Sequence, residues 1–510
     1  MWDQKYTRRQ FLKNSGVFAV GSSALLSGCG GSNDFPPEPS PTPNPPAPPT
    51  PNPPAPPTPN PPAPPTPNPP APPSPPVSGP LTIAKQAKSL VFIMLDGGND
   101  SFNMLVPRST PDYSQYKATR GDLGLNKADL LSINFTDANN KQFGLHPSLP
   151  KMQKLFNDKK LSFIANVGPM VEKVTREEFR ANSKPLPLGL MSHSDQFKHW
   201  QTSRPNERLN SGWFGTIADT VQPNKANDAI SMNVSLAGSN IMQNGVKSRE
   251  YSVTSKGSIG LKVKDDTNPA LRELNEVLLK GFDDMLAATS GSSFDNTYVN
   301  GVKYSQEQHE KFSAATKNIT VNWTGGDSEL AQQLEMVAKT IKARAALGMA
   351  GKQQTFFVRY IGWDHHSELL KSQQRMLKIV DDALSGFQQA LNELGVAEEV
   401  VTFTGSDFGR SLTSNGNGTD HGWGGNTLVM GNAVKGGEVF GTYPNLNLGN
   451  TNPLDIGGGV LIPTTSTDEV YAELALWFGA EKATLPRLFP NLTNFYDVTS
   501  DGNPLGFIKT

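Results

Sequence analysis

The chain has 510 residues, enough for a sizeable core, and a formal net charge of −1 from 46 Lys and Arg against 47 Asp and Glu. That balance removes the electrostatic reason to expect nucleic acid as a partner. One cysteine, Cys29, excludes a disulfide scaffold, a thiolate-held zinc or iron–sulfur centre and a cysteine nucleophile in the body.

In chain order the first element is an address. Thr7-Arg8-Arg9-Gln10-Phe11-Leu12-Lys13 reads as a twin-arginine signal, followed by a weakly apolar stretch from Val17 to Leu26. Leu26-Ser27-Gly28-Cys29 then looks like a lipobox. Residues 1–28 are expected to be a signal peptide handled by the twin-arginine translocase, a route that exports proteins already folded. Cys29 is expected to carry the acyl chains that anchor the protein to a membrane. Gly30, rather than Asp, after the cysteine favours the outer membrane, so the expected location is the outer membrane, the cell surface or the periplasm. No run of 18 apolar residues exists to form an ordinary transmembrane helix.

Residues 29–80 form a stalk. Twenty-seven of the 43 prolines fall between Pro36 and Pro80, and Pro-Thr-Pro-Asn-Pro-Pro-Ala-Pro occurs four times in register from Pro41 to Pro72. Proline fixes φ and drives its predecessor to extended angles, so polyproline II is expected, with a reach of roughly 140 Å. The repeat has almost nothing to bury, so it is a spacer and not a solenoid.

The body runs from residue 81 to 510. Continuous apolar runs at 89–95, 161–168, 355–362, 399–404 and 427–430 suit strands covered on both faces. Between them Leu330, Leu334, Val337, Ile341 and Ala345 fall at helical spacing, as do Leu377, Val380, Leu384, Phe387, Leu391 and Leu394. Alternation of this kind predicts an α/β fold with a mostly parallel central sheet flanked by helices. The polar stretch 236–323 fits less well and is expected to be an insertion or cap.

In open α/β sheets, sites lie beyond the carboxyl ends of the strands. The polar residues there are Asp96 and Asp100 after the first strand, Asp364, His365 and His366 after the 355–362 run, and Asp407 with Arg410 after the 399–404 run. Asp420 and His421 follow a little later. Imidazole with carboxylate suits Zn²⁺, Mn²⁺ or Fe, whereas carboxylate and carbonyl alone suit Mg²⁺ or Ca²⁺. With no thiolates in the body, a metal site there would be built of His, Asp, Asn and Ser, and a divalent metal is the expected cofactor. Ser192 and His193 open a helix carrying Phe197, Trp200 and Gln201. A hydroxyl there, beside a metal, can be deprotonated and attack phosphorus or sulfur. Each residue also has a plain structural role open to it: Ser192 or Ser194 as an N-cap, Asp407 as an N-cap or as a salt-bridge partner of Arg410, His421 as a turn residue. His146 precedes a helix and can serve as its cap.

Several motifs, taken in order, resemble the bacterial family of secreted twin-arginine-signal proteins known as domain of unknown function 1501. They are Leu95-Asp96-Gly97-Gly98-Asn99-Asp100-Ser101-Phe102-Asn103, Leu145-His146-Pro147, Ser192-His193, Gly212-Trp213-Phe214-Gly215, Gly362-Trp363-Asp364-His365-His366, Ser406-Asp407-Phe408-Gly409-Arg410, Thr419-Asp420-His421-Gly422-Trp423-Gly424-Gly425 and Leu488-Phe489-Pro490-Asn491-Leu492. The resemblance implies a distant branch of the alkaline phosphatase/sulfatase superfamily, with two neighbouring metal positions and a nucleophile at a helix start. Carried over by position, it implies metal ligands at Asp96 or Asp100, at Asp364 with His366, at Asp407 and at His421, and a nucleophile at Ser192; His193 beside that serine, and Arg410 as a clamp on a substrate oxygen, complete the expected catalytic set. It departs from the pattern at Phe408, where a metal histidine is usual, and lacks the Cys/Ser-x-Pro-x-Arg signature of sulfatases. The expected activity is metal-dependent hydrolysis of phosphate or sulfate esters. The alternative is a non-catalytic surface lipoprotein that binds a glycan or a protein on the same scaffold.

Overall fold

The computed structural model describes residues 81, 83, 84, 86–221, 230–260, 268–287 and 292–509. The signal peptide, Cys29 and the whole of the stalk lie outside them. In chain order the strands are β1 (Ser89–Asp96), β2 (Leu105–Pro107), β3 (Leu131–Thr136), β4 (Gln142–Leu145), β5 (Leu161–Gly168), β6 (Asn233–Ser235), β7 (Tyr251–Ser252) and β8 (Gln354–Ile361). They continue with β9 (Val400–Ser406), β10 (Arg410–Ser414), β11 (Thr419–His421), β12 (Gly425–Met430), β13 (Val439–Phe440) and β14 (Thr465–Ser466).

The central sheet follows the order β13-β5-β12-β9-β1-β8-β6-β7, with β14 also on β5. The pairings of β1 with β8 and β9, of β6 with β7 and β8, and of β5 with β13 and β14 are parallel. Only β12, antiparallel to both β5 and β9, runs against the rest. The sheet is thus mostly parallel, as the apolar runs predict. Its strands are apolar on both faces because both faces are covered; in β1 every residue but Asp96 is buried. Each Leu, Ile or Phe so buried contributes about 1.5–3 kcal/mol of transfer free energy.

The helix Glu329–Lys342 starts at Ser328, whose hydroxyl accepts from the Ala331 amide, and buries Leu330, Leu334, Val337 and Ile341. It packs on β8 and on the helix Leu369–Glu393, which buries Leu377, Val380, Leu384, Phe387 and Leu391. Elsewhere Phe403 of β9 meets Trp213, Phe214 and Tyr471 in an aromatic cluster.

The region expected to be an insertion divides in two. Its first part belongs to the body: Met242 and Val253 are buried, and β7 extends the central sheet beyond β6. Short apolar contributions inside polar sequence gave no period to read. Its second part is the helices Arg272–Ala287 and Ser293–Thr316, the first of which buries only Asn275. Among the described residues no helix is long and apolar enough to cross a membrane.

Candidate metal centre

The carboxyl ends of β1, β8 and β9 and the start of β12 lie at one edge of the sheet, and the polar segments converge there. Gly97 makes the first approach possible. At φ +122 its backbone runs so close to Trp363 and Asp364 that an added Cβ would stand 2.6 Å from the Asp364 nitrogen. The Asp96 carbonyl in turn accepts from the Gly362 and Trp363 amides, both at 3.1 Å. The hairpin β10–β11 makes the second approach: Arg410 and His421 are direct cross-strand partners.

Asp364 lies at the centre. Its Oδ1 is 3.0 Å from His366 Nε2 and 3.4 Å from His421 Nε2, and its Oδ2 is 3.4 Å from His193 Nε2. The two ring nitrogens His366 Nε2 and His421 Nε2 stand 3.0 Å apart. Ligand atoms of His193, Asp364 and His421 all lie within 4.8 Å of one another.

The outer nitrogens explain why the inner ones face each other. His421 Nδ1 donates to the Met191 carbonyl at 2.8 Å; a carbonyl only accepts, so the proton sits on Nδ1 and the Nε2 lone pair points inward. Met191 reaches this position at φ +65, a left-handed turn that aims its carbonyl at the ring. His193 Nδ1 donates to Asp407 Oδ2 at 2.6 Å, and His366 Nδ1 faces Asp420 Oδ1 at 3.3 Å. A histidine that gives one nitrogen to a carboxylate or carbonyl and turns the other inward is oriented as a metal ligand.

The charges agree with this orientation. Burial lowers the pKa of His421 against the pull of the Met191 carbonyl, keeping its lone pair free near neutrality. Burial opposes the charge on Asp364, but the Arg410 hydrogen bond and charge outweigh it and hold its pKa below the usual range. Burial pushes Asp407 up to about 6 against its hydrogen bond from His193. Three carboxylates, Asp364, Asp407 and Asp420, face the cluster against one guanidinium, that of Arg410. Three imidazoles, one central carboxylate and this excess of carboxylates fit a divalent cation, and imidazole-rich sets suit Zn²⁺ or Mn²⁺ better than Mg²⁺ or Ca²⁺.

Of the residues expected from sequence, Asp364, His366 and His421 come together. His193, expected beside the nucleophile, also joins them through Nε2. Asp407 stands one shell further out, behind His193. Asp96 and Asp100 are not brought in. Asp96 is paired with Arg359, whose Nε lies 2.5 Å away. Asp100 is wholly buried in an ion pair with Arg120, whose guanidinium also donates to the Ser411 and Leu412 carbonyls. Arg410 is no free clamp: only 1% exposed, it donates to Asp364 at 2.6 Å and to both the hydroxyl and carbonyl of Thr419. Ser192 occupies the N-cap of the helix His193–Thr202 but makes no cap hydrogen bond; its Oγ lies 3.1 Å from Ser194 Oγ. The residues on either side of it, Met191 and His193, both touch the cluster. His146 is buried and accepts from the Ser148 amide at 3.1 Å, with burial lowering its pKa to about 4, a structural role at the turn into Pro150–Asn157. The Met191 carbonyl was missed, and Asp420, noted beside His421, was given no role. Only its adjacency to His421 hinted at one.

Phe408 stands where a histidine was expected. Its buried ring lies 4.8 Å from the His193 ring and 4.4 Å from that of His421. It forms an apolar wall against both imidazoles and supplies no ligand.

Fold and site together define an α/β protein with a histidine–carboxylate cluster at the carboxyl edge of its sheet. The chain belongs to the family described as protein of unknown function (DUF1501), whose model matches residues 87–484. No curated protein matches it. Among solved structures it is similar to Ps i-CgsB at 11% identity, covering 80% of this chain and 76% of that one with a TM-score of 0.32. It is similar to the C-terminal periplasmic domain of EcEptC from Escherichia coli at 9%, covering 80% and 86%, TM-score 0.32. It is also similar to alkaline phosphatase from the Antarctic bacterium TAB5 at 8%, covering 69% and 92%, TM-score 0.25. Likeness at these scores lends no weight to any activity, and the chemistry is read from the chain's own residues.

Proposed function

We propose that the protein is an exported, lipid-anchored, metal-dependent hydrolase of phosphate or sulfate esters. The observation that carries the reading is the inward convergence of His193, His366 and His421 on Asp364, with the outer nitrogen of each ring engaged or facing an acceptor. These four residues would hold one transition-metal ion. A bound ion would supply charge neutralisation at a phosphoryl or sulfuryl oxygen and acidify a nearby hydroxyl. The chain's own groups do the rest. Asp407 fixes the tautomer and direction of His193, Arg410 fixes Asp364 against the β10–β11 hairpin, and Ser192 at a helix N-terminus is the nearest hydroxyl candidate for attack. Phe408 excludes water from one side of the imidazoles and leaves the site with a single ion rather than a pair.

The test combines elemental analysis of the purified protein with assays on aryl phosphate, aryl sulfate and phosphodiester substrates under Zn²⁺, Mn²⁺ and Ca²⁺. About one tightly bound ion and turnover that both disappear in His421→Ala support the reading. Absence of turnover with every metal removes the hydrolase. The buried Phe408 ring favours the second reading, a glycan- or protein-binding lipoprotein on the same scaffold, in which metal is bound and no ester is cleaved. Anchoring is tested separately: Cys29→Ser is expected to move the protein from the membrane fraction to the soluble one.

A further inference from the structure

The loop that carries Asp364 and His366 runs directly into the helix Leu369–Glu393, and an open groove starts there. Glu368, Lys371, Arg375 and Lys378 line one wall, Pro147 and Pro150 the other. Lys371, Arg375 and Lys378 recur at four- and three-residue steps, so they share one helix face and span about 10 Å. All three are exposed. Lys378 is paired with Asp382, whereas the side chains of Lys371 and Arg375 have neither ion pair nor hydrogen bond among the described residues. Glu368 is the one carboxylate in the lining. The groove is held to the metal cluster by backbone: Leu369 N–H donates to the Asn417 carbonyl and Thr419 N–H to that of His365.

We infer that this groove binds an anionic glycan bearing more than one sulfate or phosphate ester, holding neighbouring esters on Lys371 and Arg375 while one ester reaches the cluster. The inference rests on the hydrolase reading and adds the substrate class. Exposed cations without ion-pair partners, on a helix that starts three residues after His366, complement a chain with repeating negative charge. Among the described residues no aromatic side chain lines the groove, so it lacks the stacking platform that single-stranded nucleic acid uses. The two proline rings instead offer an apolar wall to the CH faces of sugars.

The test measures binding to the purified protein by fluorescence anisotropy at several salt concentrations. The probes are a labelled sulfated oligosaccharide of the heparin type, an unsulfated oligosaccharide of the same length and oligo-deoxythymidylate. The sulfated probe is expected to bind most tightly and to weaken with salt, and K371Q/R375Q to lose about tenfold in affinity. Both substitutions are exposed on a helix; K371E/R375E, with unchanged circular dichroism, is expected to lose more. K371Q/R375Q is expected to keep its metal while losing the sulfated probe, whereas His421→Ala loses the metal, so the groove and the metal centre are read separately. Equal binding of the unsulfated probe, or wild-type affinity in both groove variants, overturns the proposal. Tighter binding of oligo-deoxythymidylate overturns the assignment to a glycan.

Discussion

Three buried carboxylates in this chain do three different things, and their surroundings decide which. Asp407 turns its charge toward His193 and so acts on the cluster through a ring. Asp407→Asn is expected to weaken metal affinity by about 10–100-fold in competition with a chelator, without removing a ligand. Asp100 is equally buried, but its partner is Arg120, so its charge is spent on the fold. Asp100→Asn is therefore expected to keep its metal. Arg120→Ala leaves that carboxylate buried and uncompensated and should cost about 3–5 kcal/mol in denaturant unfolding. Sequence placed both acids at strand ends and could not separate them, because Arg120 reaches Asp100 only through tertiary packing.

Asp468 is the third. It is buried in the first turn of the helix Thr467–Trp477, accepts from Ser203 Oγ at 2.5 Å and has its pKa pushed up to about 7 by burial. The folded chain therefore holds this proton more tightly than the unfolded chain, whose value is the ordinary 3.8. The stability it contributes is full below about pH 4 and is lost as pH rises through about 7. Asp468→Asn should raise the Tm above wild type at pH 8, and the gap should close toward pH 4. Equal gaps at both pH values would contradict the assignment.

At the scale of elements, the site depends on two backbones lying closer than side chains permit. Gly409 gives its N–H to the Trp423 carbonyl, and an added Cβ there would stand 2.0 Å from the Gly424 oxygen. Gly409→Ala should cost about 1–3 kcal/mol and reduce metal content together with stability, because the same displacement moves Arg410 and Asp407. Five strands were legible as apolar runs and two long helices as periodic stripes, since burial on both faces and on one face leave those marks. The reversed direction of β12 left none. A run such as Thr427-Leu428-Val429-Met430 reads the same whichever way it runs. The two-residue β7 was too short to show a pattern.

At the scale of the molecule, the candidate site was legible as a list of strand-end acids and imidazoles. The list could not tell ligands from their supports. His193, His366 and His421 are separated by long stretches of chain, and only the closed sheet brings them together. Binding to the folded state alone makes stability depend on metal: a free ion at a hundred times its Kd should add about 2.7 kcal/mol. Calorimetry with and without chelator should show the Tm fall on metal removal in wild type and not in His421→Ala.

The spacing of these histidines also bears on timing. His421 is the last of them to leave the ribosome, and the hairpin that orients it closes against residues made more than three hundred positions earlier. A partial chain therefore lacks the complete ligand set, and any loading would wait for the completed domain. The compartment in which the chain finishes folding would then choose which ion is taken up. Transfer across a membrane after that moment would carry the ion along, so its identity would record the cell interior rather than the medium outside.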